Sequence, residues 1–177
     1  NKNFPKKNRI IKYLVDKNIA KANLKDACET ILLINSEVKS SYLDQFKIIC
    51  LIDENKKNEA QLLIDILREQ KLSSKFFDNK IDYLLGINAN EDKKIDDSNL
   101  LNFYLSSITV SDFAYTPNKK TDKKIWQYLA SANLIDLNDF ENKDKIKDLE
   151  IVANTNDLAK IYILEVYKSI KFNFNDL

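Results

Sequence analysis

The chain has 177 residues, 44% of them hydrophobic, and a net charge of +1 from 28 basic and 27 acidic side chains. That suffices for one compact core or a short run of helical repeats, but gives no overall field to steer the molecule toward nucleic acid or membrane. With no histidine and one glycine, the chain lacks the parts for a Ser-His-Asp triad, an H-E-x-x-H zinc site, a P-loop or a dinucleotide-binding glycine turn; enzymes built on a carboxylate acid or base survive this filter, and most others do not.

Residues 1–18 hold Lys2, Lys6, Lys7, Arg9, Lys12 and Lys17 against Asp16 alone, so the rest of the chain is net acidic. This reads as a solvated basic helix face, with phosphate binding as the alternative. Arg9 and Arg68 are the only arginines, which argues against nucleic-acid recognition. The first predicted helix follows Pro5 to about residue 17, with Ile10, Ile11, Leu14 and Val15 inward. A second covers about 20–34, with Ala20, Leu24, Ala27, Cys28 and Ile31 at helical spacing. The polar NSEVKS turns the chain, and Ser40 or Ser41 caps a helix of about 41–54 bearing Leu43, Phe46, Ile49 and Cys50.

The periodicity is clearest over 57–70, where Leu62, Leu63, Ile64, Ile66 and Leu67 cover more than one face, as if neighbours packed on both sides. Ser73 or Ser74 opens the next helix, which ends near Gly86 in a left-handed C-cap. Residues 87–97 form a polar loop, and Ser98 caps a helix of about 99–108. After a connection without helical period, Thr121 caps a helix of about 122–132 with Ile125, Trp126, Leu129 and Ala132. Helices near 143–153 and 156–171 complete the chain, making about nine with strand content near zero. No apolar run approaches the roughly 18 residues of a membrane span. The chain starts at Asn1 without a methionine, which reads as a processed or excised part of a longer protein. We take residues 1–177 as one helical domain with a soft division around 87–98.

Short turns between consecutive helices predict antiparallel hairpins, and stacked hairpins make an α-solenoid; a closed helical bundle is the alternative. NIAKANLKDA from Asn18 and NKKNEAQLLI from Asn55 form a faint repeat, whose spacing resembles the tetratricopeptide superfamily in layout. More loosely, DAC at 26–28, FKIICL at 46–51 and LLIDILREQ at 62–70, followed by a loop and a tryptophan helix, resemble a family of long helical-repeat proteins of alphaproteobacteria. That resemblance implies a solenoid and an exported, periplasmic or cell-envelope location, and supplies no site.

Cys28 and Cys50 are the only cysteines. In a hairpin centred near residue 39 they stand opposite each other. They are either two buried thiols or a disulfide that staples the hairpin and requires an oxidising compartment. Too few sulfurs are present for a zinc site, and no other metal or cofactor is expected.

The stretch SDFAYTPNKKTDKKIWQYLA, residues 111–130, holds the only tryptophan and one of the two prolines. We read its aromatics as a cover over the end of a hairpin. The alternative is a recognition loop, in which Phe113, Tyr115, Trp126 and Tyr128 edge a groove flanked by Lys119, Lys120, Lys123 and Lys124. Such a groove would take an acidic peptide or a glycan. The functional expectation is a non-catalytic helical scaffold that binds a protein or peptide partner. Its rival is a helical accessory domain of a peptidoglycan-acting carboxylate enzyme, with Glu29, Glu37 and Glu69 as nominal acids.

Overall fold

Helix follows helix wherever the aliphatic period and a polar punctuation residue coincide. The computed structural model describes residues 4–32, 40–118 and 120–135, with side chains from Asn8 onward. Among these residues there are seven α-helices and no strand: α1 (Phe4–Ala20), α2 (Leu24–Leu32), α3 (Ser41–Asp53), α4 (Lys57–Glu69), α5 (Lys75–Leu85), α6 (Leu100–Thr109) and α7 (Lys123–Ser131). None of the described helices is long and apolar enough to cross a membrane. The helices expected near 143–153 and 156–171, and the turn at 35–39, lie outside the described residues.

The helix ends show how a chain with one glycine stops its helices. Gly86 takes φ +80°, as a left-handed C-cap should, and its neighbour Ile87 donates back to the Asp82 carbonyl. Ala22, Asn55, Lys71 and Asn133 take the same left-handed conformation without the freedom of glycine, at φ between 53° and 60°. After each of them the next backbone N–H reaches back five residues, as from Leu72 to Leu67 and from Leu134 to Leu129. Ala22 therefore separates α1 from α2. The second helix starts at Leu24 rather than near 20, with Asn23 accepting from the Asp26 N–H.

Starts differ from expectation by single residues. Ser74 caps α5 through the Phe77 N–H. Asn99, rather than Ser98, caps α6 by accepting from the Asn102 N–H, while the Ser98 hydroxyl accepts from the Asn102 side chain. Asp122, rather than Thr121, caps α7. Ser40 stands at the start of α3 with extended backbone and no side-chain capping bond.

The chain divides into two compact units, Asn1–Ile19 with Asn23–Phe113, and Ala20–Ala22 with Ala114–Leu177. The loop 87–99 lies wholly inside the first. In that unit each helix from α2 to α6 packs on the next, and α3 also packs on α5. Its core holds Ile11, Val15, Ile19, Ala27, Ile31, Leu43, Phe46, Ile48, Ile49, Ile64, Leu67, Phe77, Ile81, Leu101, Phe103 and Leu105. At a few kcal/mol for each large aliphatic or aromatic side chain removed from water, this burial is the main term holding the helices together. α1 joins through Tyr42 of α3, which donates to the buried Asp16 and lies edge-on to Phe46, with Lys12 over its ring. The inward stripe of α1 is thus Ile11, Val15 and Ile19; Ile10 and Leu14, expected inside, face outward. In the second unit α7 buries Ile125, Trp126, Tyr128 and Leu129.

Candidate functional site

Cys28 of α2 and Cys50 of α3 form a disulfide, with Cα atoms 5.6 Å apart. Ala27 beside Cys28 is fully buried, and a side chain that small lets two helix backbones come closer than the usual 8–10 Å between axes. The bridge closes the hairpin at the level of the core. No thiol remains among the described residues.

The stretch 111–130 is divided between the two units. Phe113 ends the first unit, half-buried, with its ring edge-on to Phe103 at 5.7 Å. Tyr115, Lys120 and Trp126 belong to the second unit, and Lys119 lies outside the described residues. There the Tyr115 hydroxyl meets Thr121 Oγ1 at 3.1 Å, and Thr121 also accepts from the Asn118 N–H. Thr121 therefore ties the turn instead of capping the helix. Trp126 is 4% exposed and Tyr128 equally so, so neither ring is offered to a ligand in this conformation. Lys120 and Lys123 stand in solvent and Lys124 is half-buried.

Of the nominal acids, Glu29 and Glu69 are exposed and Glu37 lies outside the described residues. A glycosidase-type general acid needs a buried, apolar setting to keep its proton near neutral pH, and neither exposed glutamate has one.

Buried polar chemistry concentrates around the loop 87–99. Lys80 of α5 has no exposed surface, and its ammonium donates to the backbone carbonyl of Asp92. Burial pushes its pKa below the ordinary lysine value, against the pull of Asp92 and Glu91. Asn79 donates to the Asp92 carboxylate, Glu91 accepts from the Ser111 N–H, and Lys93 pairs with Asp112 at 3.0 Å. The Asp96 N–H donates to the buried Ser106 hydroxyl. This segment carries no helical period because side-chain bonds, rather than a backbone ladder, fix it. Beside it, Arg68 of α4 reaches Asp78 at 3.3 Å and Asp82 at 2.7 Å on α5. Burial works against the guanidinium, but Asp82 and then Asp78 outweigh it and raise its pKa. These groups face one another across packed elements, and they explain how the loop is held.

The outer side of α4 leaves aliphatic side chains in solvent. Leu62 is 65% exposed and Ile66 39%, although Ala60, Ile64 and Leu67 on the same helix are buried. The breadth of the stripe therefore marks one packed side and one bare side, correcting the expectation of neighbours on both. Glu59, Asp65 and Glu69, all exposed, border the two aliphatic side chains. Those acids, interleaved at helical spacing with Leu62 and Ile66, were the signal for a solvent-facing side. α1 carries a counterpart: Ile10 at 59% and Tyr13 at 58% exposure stand with Leu14 beside Arg9 and Lys17.

No protein-family model matches the chain, and neither a curated protein nor a solved structure matches it.

Proposed function

We propose that the protein is a non-catalytic helical scaffold, built of stacked hairpins in the manner of an α-solenoid, whose outer α4 face binds a basic amphipathic helix of a protein partner. The observation that carries this reading is the pair Leu62 and Ile66, left bare on a rigid helix and ringed by Glu59, Asp65 and Glu69. Aliphatic side chains one turn apart accept the apolar stripe of an incoming helix, and the acids select a basic one. The order of packing, each helix from α2 to α6 on the next and α3 on α5, supports stacked hairpins over a closed bundle. The Cys28–Cys50 disulfide supports work in an oxidising compartment such as the periplasm or cell envelope. Burial of Trp126 favours the cover over the groove at 111–130.

The test is a titration of the protein into a dye-labelled Lys/Leu amphipathic peptide, followed by anisotropy. Binding that weakens with salt, and that the double substitution Leu62→Ser with Ile66→Ser abolishes, supports the reading. Equal binding by the wild-type and substituted proteins, or none by either, removes it.

A further inference from the structure

We infer that the basic helix this face accepts is α1 of a second copy of the same chain, an inference that rests on the α4 reading above. The two faces match in spacing and in charge. On α1, Ile10 and Leu14 stand one turn apart, with Tyr13 beside them and Lys17 one turn beyond. On α4, Leu62 and Ile66 stand one turn apart, with Glu59 one turn before them and Glu69 one turn after. When the aliphatic pairs are set against each other, Lys17 meets Glu69 if the helices run parallel and Glu59 if they run antiparallel. Either orientation pairs opposite charges.

Charge on the α1 face is of one sign. Arg9 and Lys17 are exposed, while Asp16, the single acid of this helix, is buried and accepts from Tyr42. The α4 face is of the other sign through exposed Glu59 and Glu69; Asp65 pairs with Arg68 at 3.8 Å, and Arg68 also reaches Asp78 and Asp82 on α5. Within one molecule the two faces cannot meet. α1 is held by its inner side through Asp16 on Tyr42 and Asn18 on Thr30, which fixes Ile10 and Leu14 outward. The contact must therefore be made between molecules.

Such a contact joins two different patches, so it closes as a two-fold pair only if both α1–α4 contacts form at once, and otherwise extends from copy to copy. One helix pair buries less than the roughly 1,200 Å² of a standard interface, so association is weak and rises with concentration. Its charged border makes it sensitive to salt.

Sedimentation velocity of the full chain from about 10 µM to about 1 mM reads this directly, because that range populates weak interfaces. The expected result is a sedimentation coefficient that climbs with concentration and climbs less at about 0.5 M salt than at about 0.05 M. K17E alone, and E59K with E69K, should each weaken association by about tenfold or more. The triple variant K17E/E59K/E69K, with the charges exchanged, should recover it to within about threefold of wild type. All these positions are exposed, and unchanged far-UV spectra verify the fold of each variant. Wild type that stays monomeric throughout, charge variants that associate as well as wild type, or a triple variant that fails to recover would each overturn the inference. A monomeric protein that still binds the Lys/Leu peptide at α4 overturns self-association and leaves the docking face standing. A protein that does neither removes both.

Discussion

The two sides of α4 carry the same kind of residue and meet opposite fates. Ile64 and Leu67 are at most 2% exposed, while Leu62 and Ile66, from the same run of aliphatics, stand in water at 65% and 39%. α1 repeats the contrast, with Val15 fully buried and Ile10 bare. Hydrophobicity alone does not say which side faces the core. The neighbours at helical spacing do, because Glu59, Asp65 and Glu69 cannot be taken out of water without partners. The docking surface proposed above is this bare aliphatic pair with its acidic border.

Substitutions sharpen this contrast in order of size. Trp126→Ala should cost about 3–5 kcal/mol and Ile64→Ala about 2–5 kcal/mol, because both empty a packed site. Denaturant unfolding measures each, and losses under about 1 kcal/mol would mean these sides are not core. Reducing the Cys28–Cys50 bridge should lower stability by about 3 kcal/mol, as a closed loop of this length implies. Unfolding with and without reductant reads that difference.

Lys71→Gly should stabilise by about 0.5–1 kcal/mol, since a left-handed residue with a Cβ gives way to one without. An unchanged or lower midpoint would show that Lys71 makes contacts that offset its strain.

A charge on the inner side makes stability depend on pH. The folded-state pKa of Lys80 lies below the unfolded value. Between the two values the unfolded chain binds more protons, so stability contributed through Lys80 rises with pH across that window. Lys80→Met should flatten the rise in the window just below the ordinary lysine pKa, when unfolding free energies of variant and wild type are compared. An identical slope in both would place the dependence elsewhere. The smallest effect belongs to the outer side: Leu62→Ala should stay within about 0.5 kcal/mol of wild type.

Much of the helical layout was readable from aliphatic spacing and punctuation. Ser74 and Gly86 bound α5 where capping chemistry puts them, and the 57–70 pattern became α4. What stayed hidden was which of two good caps wins, as at Asn99 over Ser98 and Asp122 over Thr121. That choice turns on single hydrogen bonds to side chains outside the helix, such as Tyr115 with Thr121. The loop 87–99 looked like plain solvated chain because its order comes from Lys80, Glu91 and Ser106, residues whose partners are distant in sequence or backbone atoms. Cys28 and Cys50 were legible as opposite positions of a hairpin, but spacing alone left bond and thiol pair equally open. For the candidate site, the aromatic stretch at 111–130 drew attention by its rarity. At α4, five aliphatics in six residues read as core, and only the acids Glu59, Asp65 and Glu69 at helical spacing mark the solvent-facing side.

The central claim, that the outer side of α4 is a docking surface, is tested most directly by placing the photo-reactive residue benzoylphenylalanine at Leu62 and, as a control, at exposed Lys25 of α2. Irradiation with the Lys/Leu peptide present should give a cross-linked adduct from position 62 and none from position 25, and raised salt should suppress it. Equal labelling at both positions, or no adduct at 62 under conditions where the peptide is bound, would contradict the account.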